Sequence, residues 1–548
     1  MQTVDYVIVG GGSSGCALAG RLSEDANTTV ALIEAGSRKG ASWLIQTPAA
    51  VVAMVPKNIN NWAFETVPQP GLNGRRGYQP RGKVLGGSSA INAMAYIRGH
   101  ASDYDAWAAQ GNDGWAFKDV LPYFRKSEGN QSLNDEWHGT DGPLKVSNLQ
   151  SDNPFQQHYL KAAEQVGYPL TNDFNGPQQE GIGLYQVTQL NGERWSTYRG
   201  YLLPHLDSRP NLTIETDALT QRVLFEGKRA VGVEFLQNGQ LRQIRARKEV
   251  VLSAGAFQSP QLLMLSGVGD AEELKAVGVP VVHHLPGVGK NLQDHPDFIF
   301  GYKSRDANLL GLSLKGGLHG IRQFMRYRKE RRGLLASNFA EGGGFLKTDA
   351  QLDAPDIQLH FVIALVDDHA RTLHSGHGFS CHVCLLRPKS RGTVSLKDRS
   401  AQTPPVIDPK FFDHPDDIET MVKGYKMTDR LMKAPALSRF ITKDPFTANV
   451  TTDDDIREVL RARTDTVYHP VGTCKMGIDD MAVVDPQLRV HGLEGLRVVD
   501  ASIMPSIIGG NTNAPAVMIA EKAADLMRES GYPLKSPNAS FTCPANAS

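Results

Sequence analysis

The feature that most constrains the fold is the segment at residues 4–36, VDYVIVGGGSSGCALAGRLSEDANTTVALIEAG. Its first run, residues 4–9, is apolar and rich in β-branched side chains, which predicts a strand buried on both faces of a parallel sheet. Gly10, Gly12 and Gly15 follow as G-x-G-x-x-G. In that pattern the first glycine allows a tight turn, the second lets backbone amides approach a pyrophosphate, and the third lets the next helix pack closely. The segment therefore predicts the start of a dinucleotide-binding βαβ unit.

The second half of the segment completes this unit. Ser13 and Ser14 open a helix whose N-terminal amides favour a phosphate group, and a second strand over residues 29–33 ends at Glu34. A carboxylate there accepts hydrogen bonds from a ribose diol and repels a 2′-phosphate, so Glu34 and Ala35 are candidate nucleotide contacts and an NADP-type ligand is disfavoured. The order of elements favours a nucleotide site over a glycine-rich loop without a ligand. The unit alone leaves NAD and FAD open.

The composition limits the class of protein. The 548 residues suffice for two or more domains, and 58 Lys and Arg balance 58 Asp and Glu, so no electrostatic footprint for nucleic acid follows. Five cysteines, odd in number and scattered, predict no disulfide framework and favour a reducing compartment. The nucleotide unit leaves no room for a secretory signal ahead of it, and no apolar run is long enough to span a bilayer. We therefore expect a cytoplasmic protein.

Two further glycine-rich stretches suit close contact between backbone and a ligand. Residues 81–96, RGKVLGGSSAINAMAY, place two adjacent glycines before two serines, which fits a loop that wraps a phosphate or a polar ring edge. Long apolar flanks argue against a flexible linker there. Later, a buried strand runs into Ala254 and Gly255, and a helix with proline in its first turn follows. Both stretches predict ligand contacts beside the nucleotide unit.

The last block with chemical content lies near the C-terminus. It comprises residues 468–477, YHPVGTCKMG, then Asp500 and Ala501, then residues 509–516, GGNTNAPA. The pattern predicts a helix capped near Asn513, with proline in its first turn. The start of that helix would offer backbone amides and a positive dipole to a nearby anion.

Between these blocks the chain predicts a second structural layer. Apolar and polar residues alternate along its predicted strands, which is typical of an antiparallel sheet with one solvated face. We expect residues 1–150, 205–295 and 461–530 to form a nucleotide-binding domain, residues 151–204 and 296–460 to form a second domain, and residues 531–548 to form a disordered tail.

The second domain contains a dense group of histidines and cysteines. Its members are His369, His374, His377, Cys381, His382 and Cys384. The second Cys pair or spaced His pair of a closed zinc site is missing, so we predict no metal and ordinary strand and loop roles for these residues.

A basic segment at residues 314–332 interleaves lysine and arginine with apolar and aromatic side chains. A basic amphipathic helix of this kind can lie on an anionic membrane surface, here the inner membrane. The other interpretation is a solvated basic face above a stripe that packs on the core. Both interpretations stay open from the sequence.

Taken together, these motifs resemble the glucose–methanol–choline oxidoreductase family of FAD enzymes over nearly the whole chain. Residues 82–92 are similar to its first signature and residues 255–269 to its second, while RGKVLGGSSAINAMAYIRGH and YHPVGTCKMG are closest to the bacterial alcohol dehydrogenase and choline dehydrogenase branch. The resemblance implies an α/β (α+β overall) protein with a Rossmann-like FAD-binding domain. It also implies a substrate domain on a largely antiparallel sheet.

The resemblance also implies roles for individual residues. His469 matches the active-site histidine, and Asn513 is assigned to the second position, which is histidine or asparagine in different members. Some members attach the flavin through a histidine two residues after the serine pair; because Ile91 stands there, we expect noncovalent FAD. The expected flavin contacts are Gly10, Gly12, Ser13, Ser14, Gly15, Glu34, Ala35, Trp62, Arg81, Gly86, Gly87, Ser88, Asn92, Ala93, Met94, Ala95, Leu219, Ala254, Gly255, Tyr468, Asp500, Ala501, Asn511 and Thr512.

The implied reaction oxidises a primary alcohol, a small molecule or a polymer end, to an aldehyde. Imidazole is the side chain suited to accept the hydroxyl proton near neutral pH, and the amide of Asn513 can donate to a developing alkoxide without ionising. Electrons would pass to a quinone, a cytochrome or another carrier. An oxidase that uses dioxygen, a choline dehydrogenase, a non-redox flavoprotein and an NAD enzyme are the alternatives, and the oligomeric state stays open.

Overall fold

The structure is a computed structural model that describes residues 2–312 and 314–530. The expected tail at residues 531–548 lies outside the described residues. Among the residues described, no helix is both long and apolar enough to cross a bilayer.

The first sheet is built around the N-terminal strand. Its parallel part contains, in spatial order, Leu212–Glu215, Val30–Ile33, Gln2–Val9, Gln240–Leu252 and Leu496–Val498. The strands Val30–Ile33 and Leu496–Val498 are buried along their whole length, as expected for parallel strands covered on both faces. The predicted strand–helix–strand order around the glycine motif is therefore present.

The same sheet continues as an antiparallel meander. Ala218–Glu226 pairs with Arg229–Gln237, which pairs with the first half of Gln240–Leu252. The turn between Arg229–Gln237 and Gln240–Leu252 has only two residues, Asn238 and Gly239, both at positive φ (51° and 76°). Asn-Gly is the favoured sequence for such a two-residue hairpin turn, because both residues tolerate the left-handed region.

Two helices pack against each other beside the glycine motif. Ser13–Leu22 packs against the C-terminal helix Asn513–Ser530. The contact is tied by Glu521, whose buried carboxylate accepts hydrogen bonds from Arg21 Nε at 2.8 Å and from Tyr201 Oη at 2.6 Å. This contact holds the end of the first helix against the middle of the C-terminal helix.

The second sheet is antiparallel throughout. Its strands, in spatial order, are Asp465–Thr466, Pro296–Ser304, Gly376–Leu385, Ile357–Val362, Ala340–Leu346 and Gly181–Leu184, with Gly311–Leu312 also paired to Gly376–Leu385. The expected fold class, a Rossmann-like part plus a largely antiparallel sheet, is confirmed. Because Asp465–Thr466 belongs to this sheet, the chain leaves it a few residues later than the boundary expected at residue 460.

The remaining elements surround the two sheets. The other α-helices are Trp43–Gln46, Val51–Met54, Ala101–Ala109, Phe117–Ser127, Phe155–Val166, Thr197–Tyr201, Gly255–Leu265, Ala271–Ala276, Leu314–Glu330, Pro415–Met432, Pro435–Ser438 and Asp453–Arg463. The 3₁₀ turns are Pro48–Ala50, Pro70–Leu72, Gly87–Ala90, Leu203–His205, Leu334–Ala336, Asp368–Ala370 and Ala501–Ile503. The short strands are Phe64–Glu65, Tyr78–Gln79, Glu128–Asn130, Leu144–Asn148, Gln186–Val187, Gln189–Leu190, Glu193–Arg194, Val268–Gly269, His283–His284, Thr393–Ser395 and Val406–Asp408.

Candidate active site

One continuous cavity is lined by residues of both sheets. It runs from Val9 and Ile33 of the first sheet to His360, Val362 and His382 of the second. Of the residues that the sequence assigned to catalysis or flavin contact, all but Gly15 and Gly86 line this cavity. The chain therefore brings together segments separated by as many as several hundred residues.

The glycine motif at one end of the cavity has one open position and two that are closed by packing. A Cβ on Gly10 would lie 2.4 Å from the Ser253 carbonyl oxygen, and one on Gly15 would lie 1.8 Å from that of Gly10. A Cβ on Gly12 would meet no protein atom within 4 Å. Packing thus requires glycine at the first and third positions, whereas the space at the second belongs to the cavity. That open cradle fits the approach of a pyrophosphate.

Glu34 lies at the end of the second parallel strand, as predicted. Its Oε2 accepts a hydrogen bond from the Gly11 amide and its Oε1 accepts one from the Gly36 amide, each at 2.7 Å. Burial raises the pKa of Glu34 to about 7 in spite of these two amides. A carboxylate oxygen has two lone pairs, so each oxygen keeps capacity for one further donor from the cavity.

The loop of the first signature, residues 82–92, folds back onto the glycine motif. Gly87 has φ of 51°, and a Cβ there would lie 2.6 Å from the Cα of Gly12. Gly86, at φ 96°, donates its amide to the Gly11 carbonyl at 2.8 Å and does not line the cavity. The two glycine-rich stretches therefore touch through backbone, which is possible only without side chains between them.

Arg194 supports this loop from behind and was not anticipated from the sequence. Its guanidinium is buried and donates to the Asn92 carbonyl oxygen at 2.6 Å and to Asn92 Oδ1 at 2.9 Å. Burial without a carboxylate partner lowers the pKa of Arg194 to about 9. Its signal in the sequence is weak, because the arginine lies about a hundred positions from the loop that it holds.

At the other end of the cavity, a chain of hydrogen bonds defines the tautomer of His469. His295 Nε2 lies 3.1 Å from the Leu386 carbonyl oxygen, so this nitrogen carries the proton and donates. His295 Nδ1 is then an acceptor, and His469 Nδ1, at 3.0 Å, must donate to it. The Nε2 atom of His469 therefore carries a lone pair and no proton. A neutral imidazole in this tautomer is ready to accept a proton.

The amide next to His469 belongs to Asn511. Asn511 Nδ2 lies 3.1 Å from His469 Nε2, and Asn511 Oδ1 accepts a hydrogen bond from Gln358 Nε2 at 3.0 Å. Because Gln358 occupies the amide oxygen, the Asn511 NH₂ group is the part directed at the imidazole. Asn511 was expected only as a flavin contact.

Asn513, which was assigned to the position beside the histidine, has a different partner. Its Oδ1 accepts a hydrogen bond from Ser13 Oγ at 2.7 Å, at the glycine-motif end of the site. The assignment of Asn513 to the second catalytic position therefore disagrees with the geometry. Asn511 precedes the C-terminal helix and Asn513 is its first residue, and this difference of two positions gives the two amides different partners.

The environment of His469 keeps its imidazole neutral. The residue is buried, and this burial, reinforced by the nearby His295, His360 and Arg81, lowers the pKa of His469 well below 6.5. The backbone amide of His469 donates to Asp294 Oδ1 at 2.9 Å. Arg81 donates to the carbonyl oxygen of the preceding residue, Tyr468, at 2.8 Å. These two hydrogen bonds fix the backbone from which the imidazole projects.

Asp294 and His295 are functional candidates that sequence reasoning missed. They form an acidic–basic pair directly ahead of the apolar strand Pro296–Ser304, and both are buried. The sequence signal that could have identified them is two adjacent polar residues at the start of a buried strand, because buried polar groups need specific partners. Those partners are the backbone and the ring of His469.

The histidine-rich group weighed as a metal site has ordinary partners. His382 Nδ1 is 2.6 Å from Asp297, His374 Nε2 is 2.8 Å from Asp367, and His377 Nδ1 contacts the Leu309 carbonyl oxygen at 2.7 Å. His369 bridges Tyr468 Oη at 2.6 Å and Asp465 at 2.9 Å. Across residues 2–312 and 314–530, no group of three or more His, Cys, Asp or Glu is arranged to hold a metal ion.

Comparison with known proteins points to one family. The sequence profiles of the GMC oxidoreductases match residues 4–297 and 388–520. The chain is 46% identical over 528 residues to the alcohol dehydrogenase [acceptor] of Pseudomonas putida, covering 95% of each protein. It is also 46% identical to the mitochondrial choline dehydrogenase of Homo sapiens, over 95% of this chain and 89% of the relative.

A solved structure agrees with this match. The formate oxidase of Aspergillus oryzae, studied for the effect of a mutation on FAD modification, superposes with a TM-score of 0.89 at 28% identity, covering 97% of this chain and 99% of the oxidase. The two family profiles together span most of the chain. They include the glycine-rich cradle and the histidine–asparagine pair of the cavity. The chain belongs to the GMC oxidoreductase family.

Proposed function

We propose that the protein is an FAD-dependent alcohol dehydrogenase that oxidises a primary alcohol to an aldehyde. The observation that carries the proposal is the unprotonated Nε2 of His469, which accepts a hydrogen bond from the Asn511 amide at one end of a cavity whose other end is a glycine cradle. The two 46% identical relatives are named dehydrogenases of an alcohol and of choline. We further propose that the first-sheet region binds the flavin and the second-sheet region the substrate.

The residues of the cavity fit an FAD. Gly12 leaves space for the pyrophosphate, Glu34 keeps acceptor capacity for the ribose, and Ser88, Ile91 and Asn92 line the same cavity. Bound flavin would supply the acceptor for the hydride that leaves the carbinol carbon. Ile91, which has no nucleophilic atom, lines the cavity at the position of covalent attachment in some members, so we propose noncovalent binding.

The protein's own groups handle the proton. His469 Nε2 accepts the hydroxyl proton of the alcohol, since it carries no proton of its own and its ring is neutral. The alcohol hydroxyl takes the place of the Asn511 amide at this lone pair. The proton on His469 Nδ1 stays on the bond to His295, which keeps the ring from rotating. Asn511 Nδ2 donates to the oxygen as it gains negative charge, and Gln358 keeps that amide in orientation.

The substrate end favours an uncharged alcohol. Its wall includes the apolar side chains of Phe339, Ala340, Val362 and Val366. Asp297, the acid behind this wall, is bonded to His382 rather than presented to the cavity. Since a quaternary ammonium would require a carboxylate or an aromatic cage, we propose aliphatic or aryl alcohols ahead of choline, with electrons passed to a quinone or another carrier.

An alcohol panel under anaerobic conditions tests this function. We expect the flavin absorbance of the purified protein to bleach with neutral primary alcohols and to bleach more slowly with choline. A yellow protein that no alcohol bleaches would contradict the proposal. Subsequent exposure to air separates the alternatives, because reoxidation within seconds with peroxide release would identify an oxidase, whereas persistence of the reduced form supports a dehydrogenase.

A further inference from the structure

The helix Leu314–Glu330 turns an apolar stripe away from the protein. Ile321 and Met325 are 64% and 63% exposed, and Phe324 is 38% exposed. Positions spaced by three and four residues lie on one helix face, so these three side chains form a continuous stripe. The sequence interpretation in which the apolar stripe packs on the core therefore does not hold for these residues.

The opposite face of the helix is the one that attaches it. Tyr327 is buried and donates its hydroxyl to the Gly192 carbonyl oxygen at 3.2 Å. Gln323 Oε1 accepts a hydrogen bond from the Leu334 amide at 3.0 Å, and Arg326 pairs with Asp152 at 2.6 Å. Positions 323, 326 and 327 share the inner face. The helix is thus anchored by polar contacts while its apolar stripe stays uncovered.

Exposed basic side chains border the stripe. Arg322 and Lys329 flank it, and Arg328 continues it by one turn; all three are exposed. In the described part of the chain, no ion pair involves any of these three residues, whereas the neighbouring acid Glu330 pairs with Arg326 on the inner side. Apolar side chains rimmed by unpaired cations complement an anionic bilayer, in which acyl chains lie beneath negative headgroups.

A second exposed apolar segment lies close to this helix. Trp43 is 59%, Val52 42% and Ile59 41% exposed. The 3₁₀ turn Leu334–Ala336 contacts both the helix and the turn Pro48–Ala50, so the two segments are neighbours. Val52 also lines the cavity, which identifies this region as its mouth.

We propose that these two segments form a docking surface for an anionic lipid bilayer, with the mouth of the cavity turned towards the lipid. The docking surface consists of Ile321, Phe324 and Met325, the basic rim of Arg322, Arg328 and Lys329, and the exposed side chains of Trp43, Val52 and Ile59. The apolar stripe enters the acyl boundary and the cations contact phosphate headgroups. A lipid-soluble alcohol or electron acceptor then reaches the cavity without crossing bulk water. The inference goes beyond the proposed oxidation and does not depend on it.

Co-sedimentation of the flavin-loaded protein with vesicles tests the docking surface. We expect binding to phosphatidylcholine vesicles that carry phosphatidylglycerol, weaker binding to phosphatidylcholine alone, and weakening by salt because exposed charges are screened. The double substitution Ile321→Glu with Met325→Glu should reduce the partition coefficient at least about tenfold, since it replaces the inserted side chains with anions. Arg328→Glu with Lys329→Glu should abolish the preference for the anionic vesicles.

Leu241→Glu is the matched control, because Leu241 is 60% exposed on a strand of the first sheet, outside the docking surface. It should bind vesicles as the wild type does, and all variants should keep their flavin absorbance. Failure of the wild type to bind anionic vesicles, or equal binding by the Ile321 and Met325 double variant, would overturn the proposal. A wild-type dimer in sedimentation velocity that becomes monomeric in that double variant, with no vesicle binding by either, would assign the surface to a second copy instead.

Discussion

At the scale of single residues, the reactive end of the cavity is defined by which nitrogen of His469 carries a proton. The bond from His295 Nε2 to the Leu386 carbonyl oxygen decides this from outside the cavity. It makes His295 an acceptor towards His469 and leaves the Nε2 atom of His469 without a proton, so that its lone pair faces the Asn511 amide. A general base needs that lone pair, so His295 is a positioning residue for the proposed reaction.

Asn511 and Asn513, at the start of the C-terminal helix, should behave differently when truncated. We expect Asn511→Ala to lower kcat by about 10²–10³-fold, because one amide donor to a developing oxyanion is worth that much. Asn513→Ala should have a smaller effect on kcat, since its side chain contacts Ser13 at the far end of the site. Steady-state kinetics of both variants, each with its flavin content measured, provide the check. A larger loss of kcat in Asn513→Ala would return the catalytic role to Asn513.

The acidity of His469 predicts the pH profile. Burial lowers its pKa below 6.5, so the imidazole stays neutral, and able to accept a proton, to a lower pH than an exposed histidine would. The acid limb of kcat/KM against pH should therefore have its midpoint below 6.5, with activity retained as pH falls through that value. His469→Gln should lack this limb. An acid limb at or above 6.5 in the wild type would contradict the assignment of His469 as the base.

The sequence anticipated the residues of this site better than their pairings. His469, Asn511 and nearly all the residues that the sequence assigns to the flavin line one cavity, and each lies within a recognisable local motif. Gln358 and His295 act on them across 153 and 174 positions of sequence. Such pairings depend on how the second sheet packs against the first. A local sequence motif contains no information about that packing.

At the scale of elements, the strand–turn–helix around Gly10–Gly15 could be predicted because every position obeys a local rule. Strand burial, the positive φ of Gly10 (103°) and the helix starting at Ser13 all follow from the segment itself. The helix Leu314–Glu330 was also predicted, but its orientation was not. Periodicity identifies an apolar stripe, whereas the contacts of Tyr327 and Gln323 decide that the stripe faces outwards.

The open glycine of the turn offers a test of the cofactor site. Gly12→Ala should fold normally, since its Cβ would meet no protein atom within 4 Å, but it should bind flavin at least about tenfold more weakly because the Cβ occupies the pyrophosphate approach. The flavin-to-protein absorbance ratio and reconstitution with FAD measure this. Gly320→Ala, which is equally unhindered but lies on the exposed helix, is the control. Full flavin content in Gly12→Ala would contradict the assigned pyrophosphate position.

At the scale of the whole molecule, the cavity joins a nucleotide cradle from the first sheet to a histidine–asparagine pair backed by the second. The chain passes between the two sheets several times, and the strand Asp465–Thr466 shows that its last crossing occurs just before His469. The base therefore stands at the junction of the two sheets. This position was outside the reach of sequence patterns, because a two-residue strand has no periodicity to detect.

The most direct test of the account is the anaerobic rate of flavin reduction in wild type and in His469→Ala, measured in one stopped-flow experiment with a saturating neutral primary alcohol. We expect the variant to retain its flavin and its reduction to slow by about 10²–10⁴-fold, the contribution expected of a general base. Equal rates of reduction in the two proteins would contradict it.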